Sequence, residues 1–360
     1  MLFSVKYIGV DIEEFHNVLT YFFRQLETNN HAEFSENLFP IDCRNKLYKY
    51  GNAANGYKKF VNSFQDIFTI YTAVGLTPEN KQQIIDVFFL CNEIENICSD
   101  RTINPIHYDD MDVEVKKVAN YFNSFYDKFF DDLVERQKHL EAFQSENGNV
   151  CPICGLHTSY QYDHFFPKGT DFPIYPFSSV NPKNLIRICQ ACNGPKSSRL
   201  IIYLNSDRNL DRLLAFSPYS GFNTWENLDF ELTNISKPEV NNAGKWNVSL
   251  TPKNNGISAE NILKIKGWKE FFRIEERFSK EIELRLKNWI LNFQIIGKTF
   301  EEMIVDTKPT IHNIKYSNGI LLQNLLFKFI AANNDILDQF IVSESTAEDP
   351  INLLLDQEQN

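Results

Sequence analysis

Two Cys-x-x-Cys pairs in the middle of this 360-residue chain limit its possible folds more than any other feature. The pairs are Cys151 with Cys154 and Cys189 with Cys192, and 34 residues separate them. Two such pairs can place four thiolate sulfurs tetrahedrally around Zn²⁺, and a four-cysteine site has no open position for chemistry. The spacing therefore predicts a structural zinc site that brings both ends of the segment together. Four free thiols with coincidental spacing are the alternative.

The remaining cysteines and the apolar runs indicate a cytoplasmic protein. Cys43, Cys91 and Cys98 lie in Phe- and Ile-rich surroundings and are expected to be buried free thiols. An odd total of seven cysteines in a chain of this length does not suggest a disulfide framework. No apolar run approaches the roughly 18 residues that a membrane span needs. The N-terminal sequence MLFSVKYIGVDIEEF lacks a basic region followed by a long apolar run, so no secretory signal is expected.

Charge is distributed unevenly along the chain. The net charge of −11 argues against a protein that simply coats nucleic acid. Residues 151–210 nevertheless contain six basic and three acidic side chains, a net charge of +3, which leaves −14 for the remainder. A locally basic site on an acidic body fits an enzyme that meets phosphates at one place only. Chance variation in composition is the alternative explanation.

Helical periodicity dominates the chain before the cysteine pairs. Apolar residues recur at helical spacing over 11–28, 57–73 and about 111–143. Thr77-Pro78 predicts the start of a further helix, with Thr77 as its cap and Pro78 as its first residue. We therefore predict a helical N-terminal region over residues 1–145.

Between the cysteine pairs the pattern predicts two strands and a helix. A short strand is expected over 159–163, ending at His164, and NPKNLIRIC predicts a loop followed by a second strand. A helix is expected to begin at Asn193, because Pro195 would then lie in its first turn, where the missing N–H costs little. These elements predict a compact core around one zinc ion over residues 146–215.

After this core, strands and then helices are predicted. Residues 228–235 and 245–251 alternate apolar with polar, which indicates an antiparallel β-hairpin with a long loop. A helix that begins at Ser258 is expected to be interrupted at Gly267. The helices predicted beyond it cover 268–293, 298–306 and 319–342. The expected division is a β-hairpin plus helical region over 216–345 and an acidic tail over 346–360, within an overall α+β fold.

The segment between the cysteines resembles an HNH endonuclease of the ββα-metal class. The family pattern is a zinc-binding Cys pair, Asp-His-x-x-Pro, Asn-Leu, and then Cys-x-x-Cys-His/Asn-x-x-Lys. This chain has Asp163-His164-Phe165-Phe166-Pro167, Asn184-Leu185 and Cys189-Gln-Ala-Cys192-Asn193-Gly-Pro-Lys196. The resemblance covers about 50 residues and implies a ββα-metal core inserted between mainly helical regions. The stretch 175–185, with FSPYSGF at 216–222, further resembles standalone bacterial HNH proteins common in anti-phage defence loci.

The residue types in this motif fit phosphodiester hydrolysis, which needs a base to activate water and a cation at the departing oxygen. His164 is the candidate general base, because a neutral imidazole can accept a proton from water near pH 7. Asp163 precedes it on the strand, so the two side chains point to opposite faces and one can hold Mg²⁺ or Mn²⁺. Asn193 stands where the family often has its last His, and its amide oxygen suits the same hard ion.

Other residues receive their roles by resemblance. Asn184 is expected to brace the loop and orient His164, and the products should carry 5′-phosphate and 3′-hydroxyl ends. Lys168, Lys196 and Arg199 are candidate phosphate contacts, with solvated surface charges as the alternative. His164 as a core histidine, Asp163 as a turn residue, and Asn184 and Asn193 as loop and helix caps are the corresponding alternatives at the centre.

The leading hypothesis is a metal-dependent HNH endonuclease that cuts nucleic acid, DNA in preference to RNA. It requires structural Zn²⁺ and catalytic Mg²⁺ or Mn²⁺. The acidic helical flanks lack an obvious sequence-reading element, which suggests a defence effector controlled by a partner such as an ATPase. A restriction-type endonuclease and a non-catalytic zinc module that binds nucleic acid or protein are the alternatives.

Overall fold

The computed structural model describes most of the chain: 1–8, 11–28, 31–44, 56–130, 133–169, 174–197, 199–204, 212–236, 243–253, 256–295 and 297–333. This part is mainly helical, with two small antiparallel β-hairpins and the cysteine cluster placed between helical regions. The expected α+β class is confirmed at this level. Among the described helices, none combines the length and apolar character of a membrane span. The predicted acidic tail lies outside the described residues.

The N-terminal helices follow the predicted periodicity closely. They are α1 (Asp11–Thr28), α2 (Gly56–Thr72), α3 (Pro78–Asn92), α4 (Ile94–Ser99), α5 (Val113–Phe130) and α6 (Leu133–Asn147). The start of α3 is as predicted, since the Thr77 hydroxyl accepts the Asn80 N–H at 3.2 Å and Pro78 is the first helical residue. The single helix expected over 111–143 corresponds to α5 and α6, and residues 131–132 between them lie outside the described part.

Aromatic side chains fill the core between α1, α2, α3 and α5. Phe23 stacks on Phe88 with ring centroids 4.2 Å apart, and further rings surround this pair. Phe177 and Val180, which come from the segment between the cysteine pairs, are buried in the same core. The N-terminal helices therefore fix part of the loop that carries the candidate site.

A second core contains the cysteine segment, the later hairpin and the C-terminal helices. Strands β3 (Leu228–Ser236) and β4 (Lys245–Pro252) pair antiparallel, as the alternating pattern predicts. The outer edge of β4 lies against a helix, and its N–H groups at Trp246, Val248 and Leu250 donate to side chains of that helix spaced four residues apart, Glu283, Ser279 and Glu275. An edge that would otherwise be open is thus covered and satisfied.

The C-terminal helices break at a different residue from the one predicted. Three elements of the cysteine segment come first: strands β1 (Gln161–His164) and β2 (Leu185–Ile188) and helix α7 (Gln190–Lys196). The C-terminal helices are α8 (Ala259–Phe272), α9 (Ile274–Ile295), α10 (Phe300–Asp306), α11 (Ile311–Tyr316) and α12 (Ile320–Ala332). The interruption expected at Gly267 was wrong. Helix α8 continues through it, and a Cβ there would lie 2.5 Å from the Leu214 carbonyl oxygen. The chain turns instead at Arg273, whose φ is 51°.

The last described helix, α12, is shorter than the helix predicted over 319–342. Helix α12 stops at Ala332, and residues 334–342 of the predicted span lie outside the described part. A short helix was expected over 298–306, and α10 confirms it at Phe300–Asp306. It begins with a capping box between Thr299 and Glu302, which satisfies two N–H groups at its start.

Candidate functional site

The four cysteines of the two pairs converge on one point. All are buried, and their sulfur atoms lie within 4.8 Å of one another. The Cys151 and Cys192 sulfurs are 3.8 Å apart, as are those of Cys154 and Cys189. Four sulfurs about 2.3 Å from a tetrahedral Zn²⁺ would be separated by about 3.8 Å, so the spacing fits this metal. The cluster is positioned to hold a structural metal such as zinc.

Local backbone geometry aims each pair at the shared point. In the first pair, the Cys151 carbonyl accepts the Gly155 N–H at 2.8 Å, which closes a tight turn around Cys154. In the second pair, Cys189 is extended and caps α7, while Cys192 lies in the first turn of that helix. One pair therefore comes from a turn and the other from a helix start.

The helix begins earlier than expected, at Gln190 instead of Asn193. Because Cys189 already has cap geometry, the helical turn starts directly after it, and Pro195 lies inside the helix and not in its first turn. The predicted start was wrong by three residues. Pro195 cannot supply an N–H to the turn before it, and the helix ends one residue later at Lys196, followed by Ser197 with a φ of 41°.

Groups from the C-terminal helices surround the cluster. The Arg277 guanidinium on α9 donates to the Cys192 sulfur at 3.2 Å, and the Trp268 indole N–H on α8 donates to the Ile153 carbonyl at 2.9 Å. Four thiolates around Zn²⁺ carry a net negative charge, which a neighbouring guanidinium offsets. Sequence reasoning missed Arg277, because nothing distinguishes it from the other basic residues of a highly charged helix.

Two paired strands lie between the cysteine pairs, and the first of them begins at Gln161, two residues later than the strand expected over 159–163. Strand β1 pairs antiparallel with β2, so that Asp163 lies opposite Ile186 and His164 opposite Leu185. Helix α7 follows β2 directly. The two motif residues thus occupy the last two positions of β1, on opposite faces of the strand.

His164 lies in an enclosed environment on one of these faces. Its side chain is 6% exposed, its Nε2 is 2.9 Å from the Ser179 carbonyl oxygen, and its ring lies edge-on to Tyr126 with centroids 4.3 Å apart. A carbonyl oxygen only accepts, so Nε2 carries the proton and Nδ1 is the basic nitrogen. Burial lowers the pKa of His164 to about 3, which keeps the imidazole neutral at physiological pH.

Asp163 lies against a lysine on the other face. The Lys196 Nζ is 2.5 Å from the Asp163 Oδ2. Lys196 is 2% exposed and Asp163 is 18% exposed. Burial raises the pKa of the Asp163 carboxyl and lowers the pKa of the Lys196 ammonium, each against the attraction of the other charge. The pair is therefore held together by charge in a poorly hydrated position.

Asn193 makes a second contact between the same helix and strand. Its Nδ2 donates to the Gln161 Oε1 at 3.3 Å. Gln161 and Asp163 alternate along one face of β1, while Asn193 and Lys196 are three residues apart on α7. Asp163 and Asn193 consequently lie on facing surfaces. Carboxylate and amide oxygens are the ligands that Mg²⁺ accepts, so these donors fit a hard divalent cation.

Asn184 holds the turn that follows His164. Its side chain is fully buried, accepts the Phe166 N–H at 2.6 Å, and donates to the carbonyls of Phe166 and Ser178 at 3.0 Å each. Its own carbonyl accepts the Phe165 N–H at 2.7 Å. These contacts join the two residues after His164 to the loop that supplies Ser179. The arrangement is that of a brace, because these side-chain contacts go to the protein backbone and to the Ser178 hydroxyl.

The three basic residues expected to meet phosphate have contacts within the protein. Lys168 forms an ion pair with Asp127 on α5, and its Nζ is 4.6 Å from the Tyr126 ring centroid. Arg199 donates to the Pro195 and Leu204 carbonyls, and its guanidinium lies 4.6 Å from the Phe271 ring centroid. Lys196 is paired with Asp163.

Helix α5 contributes residues to the site that sequence reasoning did not identify. Tyr126 packs on His164, Asp127 pairs with Lys168, and the Phe122 carbonyl accepts the Ser179 hydroxyl at 3.0 Å. These residues belong to the amphipathic helix whose apolar stripe predicts only packing. A periodic pattern identifies the buried face of a helix but not which loop packs against it.

Comparisons with known proteins assign no family. The sequence matches no protein-family model, and no curated protein or solved structure matches it significantly. The functional interpretation therefore depends on the motif residues and on their arrangement around the four cysteines.

Proposed function

We propose that this protein is a metal-dependent nuclease of the HNH type that hydrolyses phosphodiester bonds, of DNA in preference to RNA. One observation carries the proposal: β1, β2 and α7 meet around the four cysteines, with His164 and Asp163 on opposite faces of a strand end and Asn193 on the facing helix. The HNH resemblance implies the same order of elements and the same residue types.

In this proposal His164 is the general base. The Ser179 carbonyl holds the proton on Nε2, so Nδ1 is the nitrogen that takes a proton from the attacking water. Ser179 then stabilises the imidazolium, because its carbonyl accepts a stronger hydrogen bond from a charged donor. The low pKa keeps the resting ring unprotonated, and the negative charge of a bound phosphodiester would raise that pKa during reaction.

Asp163 and Asn193 are the proposed ligands of a divalent cation, Mg²⁺ or Mn²⁺. Such a cation supplies positive charge at the oxygen that departs from phosphorus. The chain's own contribution is to present a carboxylate and an amide oxygen from two elements that the cysteine cluster holds together. The zinc-type site, closed by four sulfurs, has a structural role in this scheme.

The cellular setting is proposed on separate grounds. The free thiols of the buried Cys91 and Cys98 suit a reducing compartment, and a cytoplasmic activity is proposed on that ground. The resemblance of 175–185 to defence-associated HNH proteins favours an anti-phage effector, with a partner such as an ATPase controlling it. A restriction-type endonuclease is the alternative setting.

A non-catalytic zinc module that binds nucleic acid or protein is the second candidate function. It is favoured by the Lys196–Asp163 ion pair, because a carboxylate that is already neutralised has less affinity for a cation. On that interpretation Asp163 and His164, at the end of β1, would have a structural role only.

Replacing the proposed base tests the nuclease assignment directly. Zinc-loaded protein and its His164→Ala and His164→Gln variants are incubated with plasmid, single-stranded DNA and RNA, each with Mg²⁺, Mn²⁺ or EDTA. General-base catalysis is worth about 10²- to 10⁴-fold, so cleavage by both variants should fall by that factor. One zinc per chain should be retained in each.

The exposed His312 on α11 provides the control, since His312→Ala removes an imidazole remote from the motif residues in sequence. Cleavage by this variant should equal that of the parent. If His164→Ala cuts as fast as the parent, the catalytic assignment is wrong. Nucleic-acid binding without turnover under every metal condition would favour the non-catalytic module.

A further inference from the structure

Lys196 occupies an unusual position for a lysine. Its side chain is 2% exposed, and its ammonium lies 2.5 Å from the Asp163 Oδ2. An ammonium has three donors, and a buried one is normally paired and hydrogen-bonded. Here the Asp163 carboxylate is the paired group. The site therefore holds a buried positive charge against one carboxylate oxygen.

That carboxylate is the same group that would bind the catalytic cation. Lys196 follows Asn193 by three residues, so both side chains leave α7 on the side that faces β1. A divalent cation on Asp163 and Asn193 would lie next to the ammonium, where two positive charges repel each other. Lys196 is also the last residue of α7, and its flexible four-carbon stem can move the ammonium without moving the helix.

We propose that Lys196 competes with the divalent cation for Asp163, an inference that rests on the proposed nuclease function. Without the cation, the ammonium neutralises the carboxylate and keeps the buried strand end stable. When the cation binds, the ammonium leaves Asp163 and becomes available to an anionic phosphodiester. The divalent cation thus replaces the ammonium at Asp163. The strength of the Lys196–Asp163 ion pair sets the concentration of metal that is needed to fill the site.

Cation affinity measures this competition without any need for catalysis. Zinc-loaded parent and Lys196→Gln are titrated with Mn²⁺, and free Mn²⁺ is followed by electron paramagnetic resonance. A neighbouring charge changes the affinity of a carboxylate for one proton by roughly ten- to thousandfold. We therefore expect Lys196→Gln to bind Mn²⁺ at least about tenfold more tightly than the parent, and Lys196→Arg, which keeps the charge, to bind no more tightly.

Lys264 offers a matched control. It is also a buried lysine, 8% exposed, whose Nζ pairs with a carboxylate, that of Glu260, at 2.7 Å. Lys264→Gln removes the same charge from α8 and should leave Mn²⁺ affinity unchanged. Zinc content and thermal unfolding of each variant show whether the fold is retained.

A double-substitution cycle identifies Asp163 as the contested group. The increase in Mn²⁺ affinity caused by Lys196→Gln should disappear when Asp163→Asn is already present, because no carboxylate is left for the ammonium to occupy. A gain of equal size in both backgrounds would overturn the proposal, since it would then reflect a general change in charge. Unchanged or weaker Mn²⁺ binding by Lys196→Gln would overturn it as well.

These outcomes are separate from those of the nuclease test. If Lys196→Gln gains affinity through Asp163 but no variant cleaves nucleic acid, the exchange of cations stands and the proposed nuclease function fails. If the parent cleaves with Mg²⁺ while Lys196→Gln shows no gain, the nuclease function stands and the competition is refuted.

Discussion

His164 and Asp163 are neighbours in sequence, yet they lie in different surroundings. His164 faces α5 and the Ser179 carbonyl, whereas Asp163 faces α7 and its lysine. Strand geometry separates them, because successive side chains point to opposite faces. Different elements therefore set the environments of the proposed base and the proposed metal ligand: helix α5 with its aromatic side chains for His164, and helix α7 with Lys196 for Asp163.

Asn184 allows a prediction about stability at this scale. In Asn184→Ala the Phe166 N–H and the Phe166 and Ser178 carbonyls lose their buried partner. Leaving such groups unsatisfied costs about 1–3 kcal/mol each, so we expect the free energy of unfolding to fall by about 3 kcal/mol in urea denaturation.

Asn318 is a suitable comparison, because it is exposed and donates to the Thr158 hydroxyl at 3.1 Å. Asn318→Ala should change the free energy of unfolding by less than about 0.5 kcal/mol. Equal effects of the two substitutions would show that Asn184 is not the brace described here.

Connections between elements, more than the elements themselves, hold the cysteine segment in place. Helix α6 ends at Asn147, and Gly148 takes a φ of 74° to redirect the chain. The next two N–H groups, of Asn149 and Val150, both donate to the Lys315 carbonyl on α11. The turn that enters the first cysteine pair is thus fastened to a helix more than 150 residues further along the chain.

Gly148→Ala should be strongly destabilising for two separable reasons. An L-residue at positive φ costs about 1–2 kcal/mol. In addition, a Cβ at this position would lie 2.3 Å from the Lys315 carbonyl oxygen, which forces the α11 contact apart. Urea denaturation should show a loss of more than about 3 kcal/mol for the sum of strain and collision.

Gly221→Ala separates the two effects, since Gly221 has the same φ of 74° but nothing within 4 Å of the position of its Cβ. It should show only the strain, about 1–2 kcal/mol. A Gly148→Ala variant that is no less stable than Gly221→Ala would mean that the close approach to Lys315 is not important.

At the scale of the whole molecule, the described residues form two hydrophobic cores that meet at the candidate site. One lies among α1, α2, α3 and α5 and includes Phe177. The other contains the four cysteines, the hairpin β3–β4 and the C-terminal helices, together with Met1, Leu2, Phe3 and Val5. The loop after β1 contributes side chains to both cores. The motif residues therefore lie at the boundary between the two cores.

Zinc removal should therefore affect the two cores unequally. Hydrogen exchange followed by mass spectrometry, before and after chelation, should show faster exchange in β1, β2 and α8, because the metal cluster belongs to their core. Helices α1 and α3, packed around Phe23 and Phe88, should change least. Added Zn²⁺ should restore the original rates. Uniform acceleration across both cores would contradict this division.

The sequence was sufficient for features that depend on short spacing. Thr77-Pro78 predicts the start of α3, alternation predicts β3 and β4, and the two Cys-x-x-Cys pairs predict the sulfur cluster. Each signal depends on neighbours within a few residues, or on four identical ligands that only one kind of site brings together. The prediction at Gly267 was wrong, because the sequence does not distinguish a glycine that makes room for the Leu214 carbonyl from a glycine that ends a helix.

The tertiary structure decided which groups meet across long separations. Tyr126 packs on His164, Arg277 donates to Cys192, and Lys196 lies against Asp163. Periodicity specifies the buried face of a helix but not the residue that this face contacts, since that depends on how all elements pack together. The cysteines and the Asp-His pair were therefore readable from sequence, whereas the charges and rings that surround them were set by the fold.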